Sequence, residues 1–216
     1  MVKNGVSVTA ANKEELAAIQ AAVVTNDEKR TDLFDFEKIL PCPASLRSVP
    51  AGPEHGYLYA WYKGYKPEAS LVFAPPKPTK YQLWCIRREP HSKELAAQYM
   101  SNLQQHGFAT WYEWCSKHWG TKWTADCQEM VLSEDGLTAN WYFDTAWAAP
   151  IPVLVALSER FPNADICLEV DMEGGWFWGH MRFKAGKLIE EAVQEGYRPG
   201  GPFAYDEETE NQEAEG

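Results

Sequence analysis

The sequence predicts an α+β fold, an antiparallel sheet with helices packed on one face, and three observations carry that prediction. Residues 124–194 read as a β-β-α-β-β unit, the clearest pattern in the chain. Its strands are short, alternate in polarity and are joined by the glycine-containing turns Ser133-Glu-Asp-Gly136 and Met172-Glu-Gly-Gly175. With 45% hydrophobic residues among 216, a core can form without a metal or a disulfide.

Each element follows from a local signal. Val6 to Thr9 alternates and reads as a strand. Asn12 and Glu15 form a capping-box pattern, and Leu16, Ile19 and Val23 then recur on one helical stripe, so residues 13–24 should be helical. Phe34 to Leu40 alternates and is halted by Pro41-Cys42-Pro43, which reads as a strand. Residues 41–80 are rich in proline and aromatic residues and are expected as an irregular insertion, a candidate contact surface. Tyr81 to Ile86 reads as a strand, and Ser92 caps a helix that Gly107 stops. Thr110 and Glu113 form a second capping box, opening a helix to Gly120.

In the last third, strands at 130–132 and 137–145 precede a helix at 151–161, and strands at 166–171 and 176–183 follow it. A turn closing on Glu173-Gly174 would set Asp171 opposite Trp176, Glu169 opposite Trp178, and Cys167 opposite His180, all on the face away from the core. Residues 1–205 are read as one domain.

Charge excludes some functions. The net charge is −11, but the last eleven residues, 206–216, hold six acids and no base, so they account for more than half of it. They read as a disordered acidic tail. The remainder has neither the acidity of a nucleic-acid mimic nor a basic stripe for duplex DNA. Five widely spaced cysteines without a CxxC pair, no apolar leader and no apolar run of membrane-spanning length lead to the expectation of a cytoplasmic protein that does not engage a membrane. The common phosphate, dinucleotide, metalloprotease, hydrolase and calcium motifs are absent from the sequence.

Three segments carry a family resemblance: Phe34 to Pro43, Trp111 to Trp123 with its WYEW and WGTKW strings, and Trp141 to Pro150. Together they resemble the YubB-like family of phage and plasmid proteins, from Val6 to about Pro202. The resemblance implies a ferredoxin-like domain carried on mobile elements, in a family with no established biochemical activity. Cys42 stands where that pattern would place Met.

The candidate binding residues form two sets. In the Trp block, Trp111, Trp114, Trp119 and Trp123 are either core or a stacking platform for bases, with Lys117, His118 and Lys122 available for phosphate. Core packing is the reading preferred for these rings, as for Trp141 and Trp147. On the sheet, Trp176, Trp178, Glu169, Asp171 and His180 offer an aromatic and acidic face suited to a protein partner. Cys115 and His118, with Cys127 further on, lack a fourth ligand for structural zinc. Cys167 with His180 and Glu169 is the weakest catalytic candidate, lacking an oxyanion site. No cofactor, metal or catalytic centre is expected. The leading expectation is a non-enzymatic phage or plasmid protein that modulates a host protein, as an anti-defence inhibitor. The alternative is a module that binds a small nucleotide signal or single-stranded nucleic acid.

Overall fold

The computed structural model describes residues 1–25, 33–50, 79–88 and 92–199, without the side chains of residues 86, 87, 92, 93, 127 and 128. Most of the expected 41–80 insertion and the whole acidic tail lie outside the described residues. The chain divides into two compact units, Met1–Leu40 with Trp119–Gly216, and Pro41–His118.

The first unit begins with β1 (Val2–Thr9) and α1 (Lys13–Val23), followed by a short ladder of β2 (Val24–Thr25) with β3 (Leu33–Phe34) and the single turn α2 (Phe36–Ile39). The second unit contains α3 (Ala44–Arg47), α4 (Lys80–Arg88), α5 (Ser92–His106) and α6 (Trp111–His118). The chain then returns to the first unit as β4 (Asp126–Leu132), β5 (Thr138–Thr145), α7 (Ile151–Arg160), β6 (Asp165–Met172), β7 (Trp178–Lys184) and β8 (Lys187–Gln194).

The six-stranded sheet has the order β4-β5-β1-β6-β7-β8, antiparallel throughout. β1, α1, β4, β5, α7 and β6 make the βαββαβ succession of a ferredoxin-like fold, which the hairpin partners β7 and β8 extend along one edge. Side chains alternate across a strand, so register sets two faces. Toward the core, Val6 lies between Trp141 and Leu168, and Leu168 is opposite Met181. Val8 likewise lies between Ala139 and Ile166, with Ile166 opposite Phe183. These residues are buried.

The helices cover this face because each brings one apolar stripe. In α1 the stripe is Leu16, Ile19 and Val23; the Asn12 side chain accepts from the Glu15 N–H (2.8 Å), and Glu15 reaches back to the Ala11 N–H (2.7 Å). In α7 it is Val153, Leu154 and Leu157, packed on β6 and β7. An aromatic cluster fills the interior: the Phe34 ring meets Trp141 and Phe143, and Phe36 meets Phe143 and Trp119, all with centroids 5.3–5.9 Å apart. Trp119 also donates its indole N–H to the Leu40 carbonyl at 2.9 Å.

In the second unit, Val49, Ala96, Tyr99, Leu103 and Ala109 form a separate small core. The buried Asn102 ties it together, donating to the Ser45 and Ala109 carbonyls (3.2 and 2.9 Å) while its oxygen accepts from Gln98 (2.9 Å).

Several expectations are corrected. Residues 34–40 are not one strand, because Asp35 caps α2 by accepting from the Glu37 N–H at 2.9 Å. Tyr81 to Ile86 is helical, opened by a reciprocal box in which Gln82 accepts from the Thr79 N–H (2.8 Å) and Thr79 Oγ1 from the Gln82 N–H (3.2 Å). The last sheet turn is longer than read, so β7 begins at Trp178 and pairs two residues further on: Asp171 faces Trp178, Glu169 faces His180, and Cys167 faces Arg182. A slip of two keeps every side chain on its expected face. β8 was not expected; Gly179 permits it, since a Cβ there would come within 2.2 Å of the Ala192 carbonyl oxygen.

Two tryptophans test the interior in opposite directions. Trp119→Ala is expected to lower unfolding stability by about 3–5 kcal/mol, the usual cost of emptying a buried aromatic site. Trp147 is 72% exposed and sits at φ 68°, so Trp147→Gly is expected to leave stability unchanged or raise it by up to about 1 kcal/mol. Chemical denaturation of both variants measures the two signs.

Candidate functional site

The face of the sheet opposite α1 and α7 carries the candidate site. From β1 it receives Lys3, Gly5, Ser7 and Thr9; beside them lie Tyr142 and Asp144 on β5, and Cys167, Glu169 and Asp171 on β6. Trp178, His180 and Arg182 continue it on β7.

Gly5 creates a cleft in this face. With no side chain at the middle of β1, the Tyr142 ring leans over the backbone, 3.4 Å from where a Cβ would stand, and the Glu169 Cβ approaches to 3.8 Å. The space is about 290 Å³ and is walled by Tyr142 and Glu169, with Lys3, Asp144 and Asp171 at one end and Arg198 at its rim. Lys3 pairs with Asp144 (3.9 Å) and Arg198 with Glu169 (3.5 Å). Both pairs are partly solvated and therefore weak.

Asp171 is different. It is only 4% exposed, and its Oδ2 has no hydrogen-bond partner. Burial pushes its pKa up from the ordinary carboxylate value, while the nearby Arg198 and Lys3 cations act in the opposite direction. A buried acceptor left unpaired costs about 1–3 kcal/mol, so this carboxylate is held at the expense of the fold.

Cys167, His180 and Glu169, the weakest catalytic candidate of the sequence, are set differently from the arrangement read there: Glu169 faces His180, and Cys167 belongs to the next pair on that face. His180 Nε2 lies 3.3 Å from Glu190 Oε1, and register places Arg182, not His180, opposite Cys167. The Cys167 thiol is pushed up by burial and then by Glu169, with Arg182 opposing, which disfavours the thiolate that nucleophilic attack requires.

The Trp block disperses. Trp114 is buried and stacks on the His118 ring (centroids 4.3 Å apart, 13° between planes), whose Nδ1 lies 3.0 Å from the Trp114 carbonyl. Trp119 and Trp141 are core residues, as read from the sequence. Trp111 is half-buried against Tyr112, and Lys117 is exposed. Trp123 and Trp147 are exposed instead, and the Lys122 ammonium lies 4.3 Å above the Trp123 ring. Trp176 is 72% exposed in the turn before β7, while Trp178 is half-buried on that strand.

Cys115 is buried beside Cys42, whose thiol is pushed up to about 12 chiefly by burial. Among the described residues, no group of three His, Cys, Asp or Glu is arranged to hold a metal, and none of the helices is long and apolar enough to cross a membrane. Sequence reasoning missed Lys3, Gly5, Tyr142, Asp144 and Arg198 as cleft residues. The alternation around Gly5 and Tyr142 was the only local signal; what unites them is the pairing of β1 between β5 and β6.

Residues 118–214 match the family model described as a ferredoxin-like domain in Api92-like protein. Among solved structures, the chain is similar to a crystal structure of protein api92 from Yersinia pseudotuberculosis, with 11% identity and a TM-score of 0.47 over 94% of this chain and 99% of that one. No curated protein matches the sequence.

Asp171→Asn is expected to raise unfolding stability by about 1 kcal/mol at pH 7, because it removes a buried charge. A raised carboxyl pKa means the folded state favours the protonated form. The wild-type chain therefore loses stability relative to the variant as pH rises from the ordinary carboxylate range through the elevated value. Below that range the charge contribution to the difference should disappear. Paired denaturation curves across pH check this, since the contributions of Lys3, Asp144, Glu169, His180 and Arg198 largely cancel between the two proteins.

Proposed function

We propose that this chain is a non-enzymatic accessory protein of a phage or plasmid that binds a host protein through the open face of its sheet and inhibits a host defence system. The resemblance to the YubB-like family supports the mobile-element setting, and the widely spaced cysteines, without a CxxC pair, support the bacterial cytoplasm as the place of action. The observation that carries the binding role is the composition of the open face and its margin. Tyr142 is half exposed in a cleft lined with charged groups, and Trp176, in the turn before β7, and Tyr197, next in sequence to the cleft residue Arg198, are exposed as well. Protein interfaces draw their anchors from tyrosine, tryptophan and arginine.

The dispersal of the Trp block favours this reading over base stacking, since Trp114 and Trp119 are buried, Trp114 stacked on His118 and Trp119 packed edge to face with Phe36. Charge weighs the same way: Asp144, Glu169 and Asp171 would repel a phosphate from the cleft.

Affinity capture from a bacterial lysate tests the proposal when the wild-type chain is compared with a Tyr142→Ala, Trp176→Ala double variant. Both side chains are at least half exposed, so the variant should keep the wild-type unfolding midpoint. A specific partner should be recovered by the wild type and reduced about tenfold or more by the variant, as expected for the loss of two anchors. Equal recovery by both proteins would overturn the assignment of the open face.

A further inference from the structure

Resting on that reading of the open face, we propose that the cleft over Gly5 is a receptor for an arginine side chain of the partner protein, whose guanidinium donates to the Asp171 carboxylate. Four features lead to this chemistry. Asp171 is nine-tenths buried and more, lines the cleft, and has an oxygen with no donor in the folded chain. Among the described residues the cleft is lined by three carboxylates, Asp144, Glu169 and Asp171, and two cations, Lys3 and Arg198, so one entering positive charge complements this set. A guanidinium already meets this face, since Arg198 lies 3.5 Å from Glu169 at the rim. Tyr142 supplies an aromatic wall half exposed to solvent, on which a planar cation can stack.

Arginine fits better than the other cations. Its five donors form a flat fork that serves a carboxylate on one edge while its face rests on an aromatic ring, and it is less strongly hydrated than an ammonium. The volume, about 290 Å³, lies at the lower end for small-molecule pockets and suits one inserted side chain. Gly5 is the specificity element, because any side chain there would fill the floor between Tyr142 and Glu169.

The test uses the full-length chain labelled with ¹⁵N and titrated with acetyl-arginine-amide, acetyl-lysine-amide, acetyl-citrulline-amide and adenosine monophosphate. Arginine-amide should shift the backbone signals of Gly5, Tyr142 and Asp171 with a dissociation constant on the order of millimolar, as befits a single side chain. Citrulline, which is isosteric but uncharged, and the nucleotide should leave them in place. Asp171→Asn should weaken the arginine response about tenfold or more while the variant stays folded and gains stability, a combination that a purely structural residue would not give.

Absence of a shift with arginine-amide, an undiminished response in Asp171→Asn, or an equal response to citrulline or the nucleotide overturns the proposal. An equal response to lysine overturns the choice of arginine. The capture experiment keeps the two readings apart. If Asp171→Asn retains the partner while the Tyr142, Trp176 variant loses it, the open face stands as the docking surface and the arginine receptor falls. Loss of the partner with both variants supports the two together.

Discussion

The structure depends on β1 being an interior strand. Val2–Thr9 pairs residue for residue with β5 on one side and β6 on the other, so each of its side chains has a fixed neighbour to left and right. That double constraint makes alternation decisive. Val2, Val6 and Val8 go to the core with Trp141, Phe143, Ile166 and Leu168, and Lys3, Gly5, Ser7 and Thr9 go to the other side. A shift of one residue would put valines in water and a lysine among the aromatics, so core burial fixes the cleft as firmly as it fixes the core.

Legibility in the sequence tracked the range of the determining interactions. α1 was readable because its cap and its apolar stripe lie within twelve residues of each other. Asp35 and Thr79 are equally local caps, yet each was hidden by aromatic residues that also suit a strand, and tertiary burial of Phe36 settled the first. The β6–β7 register was misjudged by two because a turn rich in glycine closes at more than one length. Its face assignment survived because parity is preserved. β8 could not be read, since Lys187–Gln194 is almost wholly exposed and does not alternate. It exists because β7 offers a free edge, and its lysine and glutamates suit a sheet margin that must not pair again. The ferredoxin-like domain was accessible through family resemblance, whereas the cleft needed three strands at once.

Leu40 and Trp119 explain how one succession of sheet and helix tolerates a long excursion. They are 79 positions apart in sequence but joined by the indole N–H to carbonyl hydrogen bond at 2.9 Å. The chain therefore leaves the first unit and re-enters it at one place. Within the first unit the β2–β3 ladder and α2 are thus followed by β4, and the same indole that receives the returning chain packs on Phe36 in the core. Closing so long a loop costs only slowly more entropy with length, and a buried ring bonded at its neck offsets part of that cost.

Four buried polar atoms among the described residues lack a partner: Asn4 Oδ1, Thr110 Oγ1, Trp141 Nε1 and Asp171 Oδ2. The first three are neutral. Asn4 already spends its amide nitrogen on Val2, Phe143 and Thr145, and Trp141 is enclosed by Phe34 and its strand neighbours. Only Asp171 is ionisable, and of the four side chains only it projects from the sheet on the side of the open cleft. Alternation would have accepted a neutral residue at that position without disturbing Val170 or the pairing with Lys3. A carboxylate there is desolvated, keeps one oxygen unpaired and adds negative charge to the cleft, and the proposed guanidinium complements all three.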